Sequence, residues 1–233
     1  MDCQRFDIQQ YLSVLPLFSA LSVAQRQRLA VGCALQRLTR GAQVFSAGDA
    51  CDAFYVVVTG KVKLFVAAPN GQEKVIELIE PSQSFAEAFL FMDTAYMVNA
   101  QTLSDALLLQ VRKDVVVGEI TRDPQLAMLM LAGISRRLHG LIRDVADYTL
   151  QSGQQRLIGY LLREAEALGP SADHAPLTVE LGASKATIAS RLSLTPEHFS
   201  RVLRELEEAG LIAIDKRHIR IGDVQQLAAY GAH

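Results

Sequence analysis

Three side chains near the C-terminus have types and a spacing that suit the reading of DNA bases. Glu197, Ser200 and Arg201 stand at positions i, i+3 and i+4, so one face of a helix would present all three. An arginine can donate two hydrogen bonds to guanine O6 and N7, a glutamate can accept from a cytosine amino group, and a serine can do either. Together the three residues predict a base-reading surface.

The residues around this surface predict the two short helices and the tight turn that it requires. Ser184 is a candidate N-cap for a first helix over residues 185–191, and a short turn follows. Thr195 then caps a second helix that has Pro196 at its first position, where a missing N–H costs nothing. Gly210 follows that helix, as glycine often does. The pattern predicts a helix-turn-helix, whose second helix enters the major groove.

The residues after this segment predict a basic β-hairpin, or wing. Two short apolar runs flank a turn-like stretch at residues 215–218. Such a wing would rest near phosphates, which position a protein without specifying sequence, although basic hairpins also serve solubility. Beyond the three base-reading residues, the candidate DNA contacts are Lys185, His198, Arg204, Lys216 and Arg217.

Length and composition favour two domains in a reducing cytoplasm. The chain has 233 residues, half of them hydrophobic, and a net charge of −2, so DNA affinity must come from a local patch. No apolar stretch approaches the roughly 18 residues of a membrane helix, and the N-terminus lacks signal-peptide features. Cys3, Cys33 and Cys51 are expected to be reduced thiols.

The sequence pattern of the first half of the chain predicts a β-roll. From about residue 35 to residue 111, short β-type runs alternate with Gly-bearing turns, which is typical of a sandwich or barrel. Asn70-Gly71, between two such runs, is the best hairpin signal. Two helices, over residues 7–15 and 22–33, are expected before the strands.

A long helix with a heptad pattern is predicted over residues 124–150. Its apolar residues repeat at alternating intervals of four and three, as in a coiled-coil seam. Packing on the chain's own β domain is the alternative, but a two-fold dimer is the usual arrangement for this DNA-binding motif. We therefore expect a homodimer through this helix. The predicted seam comprises Ala127, Leu131, Ile134, Leu138, Leu141, Val145 and Tyr148.

The predicted fold class is α+β, with three successive parts. A β-roll sensor domain with N-terminal helices spans residues 1–122, a dimerisation helix 123–150, and a winged helix-turn-helix DNA-binding domain 151–233. In this order the chain resembles transcription factors of the cyclic-AMP receptor protein and fumarate–nitrate reduction regulator family. The resemblance runs from about residue 17 to residue 224, and the glycines of the roll and the TPEHFSR segment carry it.

The resemblance implies a cyclic-nucleotide-binding-like jelly roll and a specific DNA target. In the family's pattern the residues matching Glu197, Ser200 and Arg201 read bases, and the usual target is a TTGAT-N4-ATCAA-type palindrome. The position after the glutamate departs from the pattern, because His198 replaces the usual threonine or valine.

Two effector sites of the family are incomplete in this sequence. Members that bind cyclic nucleotide carry a Gly-Glu segment with an arginine ten residues after the glutamate. Here Ala86 precedes Glu87, the tenth residue is Met97, and no arginine stands nearby in the sequence. Iron–sulfur members need four closely arranged thiolates, whereas this chain has three dispersed cysteines. We therefore expect neither a cyclic nucleotide nor an iron–sulfur cluster.

The segment around Glu87 is similar to that of the denitrification regulators that respond to nitric oxide. This resemblance implies haem b in the roll's pocket, although apolar residues in a small roll also serve as ordinary core. His139, the only histidine of the sensor half, is the candidate ligand, and Cys33 and Cys51 are alternatives because thiolates also bind haem iron. The expected lining is Phe85, Glu87, Phe89, Leu90, Phe91, Met92, Met97, Leu131 and Leu138.

The sequence thus predicts a cytoplasmic transcription regulator that binds double-stranded DNA and, if it is an activator, RNA polymerase. No nucleophile–base set, phosphate loop or Cys/His metal spacing indicates an enzyme. Control through the cysteine thiols, and a regulator without an effector, are the alternatives to haem and nitric oxide.

Overall fold

Residues 6–92, 94–169 and 176–231 are described by the computed structural model. Their contacts divide into two units, one with the described residues up to 140 except 73–75, the other with 141–231 and 73–75. The boundary lies inside a long helix, which therefore contributes to both units. Cys3 lies outside the described residues. Within the described ranges, no helix is both long and apolar enough to cross a membrane.

The predicted β-roll lies in the first unit, apart from residues 73–75 at the start of one strand. Its strands are β1 (Cys33–Leu38), β2 (Gln43–Phe45), β3 (Ala53–Thr59), β4 (Val62–Ala67), β5 (Glu73–Ile79), β6 (Ser84–Phe85), β7 (Asn99–Thr102) and β8 (Ala106–Arg112). They form two four-stranded sheets, with the orders β1-β8-β3-β6 and β2-β7-β4-β5. The hairpin predicted at Asn70-Gly71 is confirmed, because β4 and β5 are neighbours and the Ala68 N–H donates to the Gln72 carbonyl at 2.8 Å.

Aromatic rings occupy the core of the roll. Phe54 and Phe85 are wholly buried, and Phe45 stacks on Tyr96 with ring centroids 3.8 Å apart. The Tyr96 hydroxyl donates to the Ala53 carbonyl at 2.6 Å, so the buried oxygen has a partner. A stacked pair of this kind contributes about 0.5–1.5 kcal/mol beyond the area that it buries.

Two helices precede the roll, α1 (Ile8–Val14) and α2 (Val23–Ala30). The prediction that the second helix reaches residue 33 is wrong. That helix ends at Ala30, and Cys33 begins β1, where it pairs with Val111 of β8. Strand pairing gives the backbone groups of residues 33–38 their partners, which outweighs the local helical pattern.

Two helices follow β8 in the chain, α3 (Lys113–Arg122) and α4 (Gln125–Leu150). The long helix is confirmed as α4. The sequence did not predict α3, whose run of three valines is more typical of a strand. Packing stabilises it as a helix, because its buried Glu119 accepts a hydrogen bond from Nε of Arg28 on α2 at 2.7 Å.

The second unit contains the remaining elements together with the C-terminal part of α4. They are α5 (Gly153–Ala167), β9 (Leu177–Glu180), α6 (Lys185–Arg191), α7 (Pro196–Glu208), β10 (Ile212–Asp215), β11 (His218–Ile221) and α8 (Val224–Gly231). The predicted wing is confirmed as β10 and β11. It belongs to a three-stranded sheet of order β10-β11-β9, and the sequence did not predict β9, α5 or α8.

Candidate nucleic-acid interface and sensor region

The helix-turn-helix forms with the caps that the sequence predicts. The Ser184 hydroxyl accepts from the Thr187 N–H at 3.1 Å, and Thr195 Oγ1 accepts from the His198 N–H at 3.1 Å. Pro196 lies at the first turn of α7. Gly210 follows the end of the helix with a φ of 73°, a left-handed conformation that glycine adopts without strain.

One face of α7 is buried in the second unit, so the opposite face is exposed to solvent. Phe199, Val202, Leu203 and Leu206 are each at most 1% exposed. A buried phenylalanine and three aliphatic side chains contribute several kcal/mol, at about 1.5–3 kcal/mol each, so the helix cannot rotate about its axis. The exposed face therefore carries Glu197, Ser200, Arg201 and Arg204.

The three predicted base-reading residues are accessible and weakly held. Ser200 Oγ donates to the Pro196 carbonyl at 2.8 Å, which leaves its lone pairs available. Arg201 Nε lies 3.6 Å from Glu205 Oε1, and the two side chains are 67% and 49% exposed. Since an exposed pair of this kind contributes only about 0.3–0.5 kcal/mol, Arg201 can leave it for a base at little cost.

His198 is separated from this face. Its side chain is half-buried, and its ring packs against the first residue of α5, Gly153. A Cβ at Gly153 would stand 2.9 Å from His198 Cε1 and 2.8 Å from Leu194 Cδ2, so the ring occupies space that only a glycine leaves open. His198 thus packs against α5, and its contact with DNA stays a prediction.

The basic residues predicted to lie near phosphates are all exposed. Lys185 opens α6, and Lys216 and Arg217 form the tip of the wing. Lys216 has a φ of 55°, which closes the tight turn between β10 and β11. The wing is braced by β9 and by the Leu181 N–H, which donates to the Arg217 carbonyl at 2.7 Å.

The predicted dimer seam on α4 is largely open to solvent in the single chain. Leu131, Leu138, Leu141 and Val145 are 55%, 56%, 37% and 64% exposed. Leu126 and Met130 on the same helix are buried in the core of the first unit. The helix is therefore apolar on two faces, one of which is covered. Three seam residues are half-buried, namely Ala127, Ile134 and Tyr148.

The residues expected to line one haem pocket fall into two groups. Phe85, Glu87 and Leu90 are buried in the first unit, whereas Phe91, Met92 and Met97 are 47%, 54% and 62% exposed. Phe89 is half-buried, and Leu131 and Leu138 belong to the exposed α4 face. The separation has a local cause: residues 87–91 form a 3₁₀ helix, which points successive side chains in different directions.

That 3₁₀ helix begins at a strained residue. Ala86 has a φ of 71°, in the left-handed region that costs an L-residue about 1–2 kcal/mol. Strain of this kind persists only where the surroundings hold it in place.

A cation that sequence reasoning missed holds this segment. Arg137 of α4 places Nη1 2.7 Å from Glu87 Oε1 and Nε 3.2 Å from Glu77, and it also donates to the Ser84 carbonyl. Burial alone would lower the pKa of Arg137, but the two carboxylates outweigh burial and raise it, so the guanidinium stays charged. Arg137 is thus close to Glu87 in space, although 50 positions separate the two residues along the chain. No sequence signal marked the pairing.

Among the candidate haem ligands, His139 offers an accessible nitrogen. Its exposed ring lies with Nδ1 3.1 Å from the Ser135 carbonyl, and the contact leaves Nε2 open. Burial raises the pKa of the Cys33 thiol to about 12 and also raises that of Cys51, which disfavours the thiolates that bind iron. One imidazole and the exposed apolar side chains of α4 thus meet the ligand requirement of haem.

Comparison with known proteins agrees with this architecture. The model of the cyclic nucleotide-binding domain matches residues 35–123, and that of the Crp-like helix-turn-helix domain matches residues 155–230. The crystal structure of DNR from Pseudomonas aeruginosa is 35% identical, with 99% of this chain and 100% of that chain covered and a TM-score of 0.52. FixK2 from Bradyrhizobium japonicum, at 19% identity, supports the fold alone, with a TM-score of 0.75 and 84% and 96% of the two chains covered.

A CRP-like cAMP-activated global transcriptional regulator of Mycobacterium tuberculosis is 26% identical, over 81% of this chain and 84% of that protein. A β-roll, a long helix and a winged helix-turn-helix with an exposed reading face define a DNA-binding transcription regulator. The chain belongs to the cyclic-AMP receptor protein and fumarate–nitrate reduction regulator family.

Proposed function

We propose that this regulator binds a TTGAT-N4-ATCAA-type palindrome as a homodimer in the cytoplasm. The observation that carries the proposal is the exposure of Glu197, Ser200 and Arg201 on one face of α7, while the opposite face is buried. Their donors and acceptors suit base edges in the major groove. The test is a titration of a labelled palindrome, with a scrambled duplex of equal length and composition as control. Equal affinity for both duplexes would refute base reading.

The proposed dimer forms through α4. Four large apolar residues of its predicted seam are more than a third exposed in the single chain, and exposed apolar patches of this kind mark association surfaces. A two-fold pairing would place the recognition helices in successive major grooves about one helical turn apart. Light scattering of the purified protein measures the mass, and a monomer at micromolar concentration would contradict the pairing.

For the effector, we propose haem with nitric oxide as the gas that it senses. The support is the sequence resemblance around Glu87 together with the open Nε2 of His139. Leu131 and Leu138 would contact the macrocycle, and the haem would supply an iron atom that binds the gas. Absorption spectra of haem-reconstituted protein, with and without nitric oxide, test this. A Soret band that is absent, or that survives His139→Ala with unchanged position, would refute haem or this ligand.

A regulator without an effector is the second candidate, and a specific observation favours it. Glu87, the residue that a family effector would approach, is already paired with Arg137 at 2.7 Å. Such a protein would bind its DNA site equally with and without haem, and its abundance would control transcription. Control through thiols has less support, because the raised pKa values of Cys33 and Cys51 keep both thiols protonated.

A further inference from the structure

The last residue of α6, Arg191, is bound to the C-terminal part of α4. Its Nη2 lies 2.5 Å from Asp144 Oδ2, and its Nη1 donates to the Tyr148 hydroxyl. That hydroxyl in turn donates to the Arg191 carbonyl at 2.6 Å. The side chains of Arg191 and Asp144 are only 21% and 16% exposed, so solvent screens the ion pair little.

A second guanidinium joins the helix-turn-helix turn to the same place. Arg156 of α5 donates from Nη1 to the Tyr148 carbonyl at 3.3 Å and to the Gln151 carbonyl at 3.0 Å. Its Nη2 donates to the carbonyl of Ser193, in the turn between α6 and α7, at 3.4 Å. Asp144, Tyr148, Arg156 and Arg191 together are called the Arg191 cluster below.

The Arg191 cluster fixes the angle between the helix-turn-helix and α4, which apolar packing alone does not fix. Hydrophobic contacts are non-directional and tolerate small rotations. Paired hydrogen bonds from a planar guanidinium weaken steeply when the donor angle changes. The helix-turn-helix is therefore held in one orientation on the last turns of α4, rather than merely kept near them.

The same helical turns carry the predicted dimer seam. Leu141 and Val145, which are 37% and 64% exposed, precede Asp144 and Tyr148 by three residues each. Tyr148 belongs both to the predicted seam and to the Arg191 cluster. This part of α4 therefore serves two purposes: Leu141 and Val145 are open for a second copy, while Asp144 and Tyr148 hold the DNA-binding elements. Any rotation of α6 about α4 would move the recognition helix relative to the two-fold axis of the proposed dimer.

We propose that Asp144, Tyr148 and Arg191 are positioning residues that set the spacing between the two DNA half-sites. The inference rests on the proposed function, since it requires a dimer that reads a palindrome. One base pair added between half-sites moves the second by about 3.4 Å along the axis and rotates it by about 35°. If the helix-turn-helix is held rigidly on α4, the dimer binds a site with an altered spacer weakly. If the connection is loose, the dimer binds that site nearly as well as the preferred one.

The experiment compares palindromes whose spacer has the preferred length or is one base pair shorter or longer. Dissociation constants are measured at fixed salt for the unmodified protein, Arg191→Gln, Asp144→Asn and Tyr148→Phe. We expect each variant to lower the affinity ratio between the preferred and altered spacers by about fivefold or more, while base preference within each half-site stays unchanged.

Arg163→Gln is the matched control. Arg163 of α5 also reaches α4, with Nη1 3.9 Å from Asp147 Oδ2, and its side chain is 44% exposed. The control loses an arginine that pairs with Asp147 of α4, outside the Arg191 cluster, so its spacer ratio should equal that of the unmodified protein. Equal loss of selectivity in Arg163→Gln would overturn the assignment to the cluster.

Two measurements, the thermal midpoint and the ratio of affinities between spacers, distinguish the proposed positioning role from a purely structural one. A purely structural role would lower the thermal midpoint and would lower the affinity for all three duplexes by the same factor. The affinity ratio between the preferred and altered spacers would then be unchanged, and this result would overturn the proposal. Tyr148→Phe keeps the ring and removes only the hydroxyl, so it remains testable if the charge variants fail to fold. The spacer series is built on the site that the unmodified protein selects from random DNA. A target other than TTGAT therefore refutes the proposed function while the inference is still tested.

Discussion

Replacing Arg201 by alanine should abolish one base preference while leaving the fold intact. The side chain is 67% exposed, and its contact is the 3.6 Å pair with Glu205, worth about 0.3–0.5 kcal/mol. Alanine is also the best helix former, which offsets part of that loss. We expect the free energy of unfolding to change by less than about 0.5 kcal/mol.

The cost for binding is larger because the arginine acts at the interface. A bidentate contact to guanine is worth about 1–3 kcal/mol at its base position. Both subunits of a homodimer carry the change, and distant sites add, so the whole palindrome should lose about 2–6 kcal/mol. Even the lower value is a weakening of about thirtyfold.

The assay is fluorescence anisotropy with duplexes in which each base pair of the half-site is replaced in turn. The unmodified protein should discriminate at one position where Arg201→Ala does not. Arg112→Ala is the control: it is 57% exposed, lies in the β-roll, and should leave all affinities unchanged. Arg201→Ala could instead lose affinity equally for all duplexes, with the slope of log affinity against log salt concentration reduced by about one. That result would show that Arg201 contacts phosphate and would refute base reading.

The remaining predictions concern the dimer, the segment around Glu87 and the thiols. Leu138 is 56% exposed on the apolar face of α4, and Leu138→Glu puts a charge there, so light scattering should give the mass of a monomer; a persistent dimer places the interface elsewhere. Arg137→Met leaves the Glu87 carboxylate, whose side chain is 5% exposed, without its cation. Urea unfolding should show that the free energy of unfolding falls by about 2–3 kcal/mol. This is less than for a fully buried pair, because Arg137 is 25% exposed. A fall of less than about 0.5 kcal/mol would contradict the pairing. Burial raises the pKa of Cys33 from 9.0 to about 12, so its contribution to stability is complete below about pH 9 and is lost as the pH rises toward 12. Native Cys33 should accordingly resist iodoacetamide at pH 8, and rapid alkylation would contradict its burial.

The elements with local signals were the ones that the sequence predicted well. Ser184, Thr195 and Pro196 mark helix starts by their own chemistry, and each occupies its expected cap or first turn. The same holds for the Asn70-Gly71 hairpin. Local chemistry of this kind acts over three or four residues, so reading it requires no knowledge of the fold.

The errors and omissions involve contacts between distant residues. The end of α2 was misplaced because pairing between β1 and β8, which is remote in sequence, decides it. Arg137 meets Glu87 across 50 positions, and no spacing rule links them. His198 lies on the reading helix, yet its packing depends on Gly153, which sits in another element. Tertiary packing decides such positions, and a single sequence does not encode them in a local pattern.

The most direct test of the central claim is selection of binding sites by the unmodified full-length protein from random double-stranded DNA. If Glu197, Ser200 and Arg201 of two paired chains read bases, the selected pool will contain two inverted TTGAT half-sites at one spacing. A pool without an inverted repeat, or one enriched in an unrelated motif, would contradict the account.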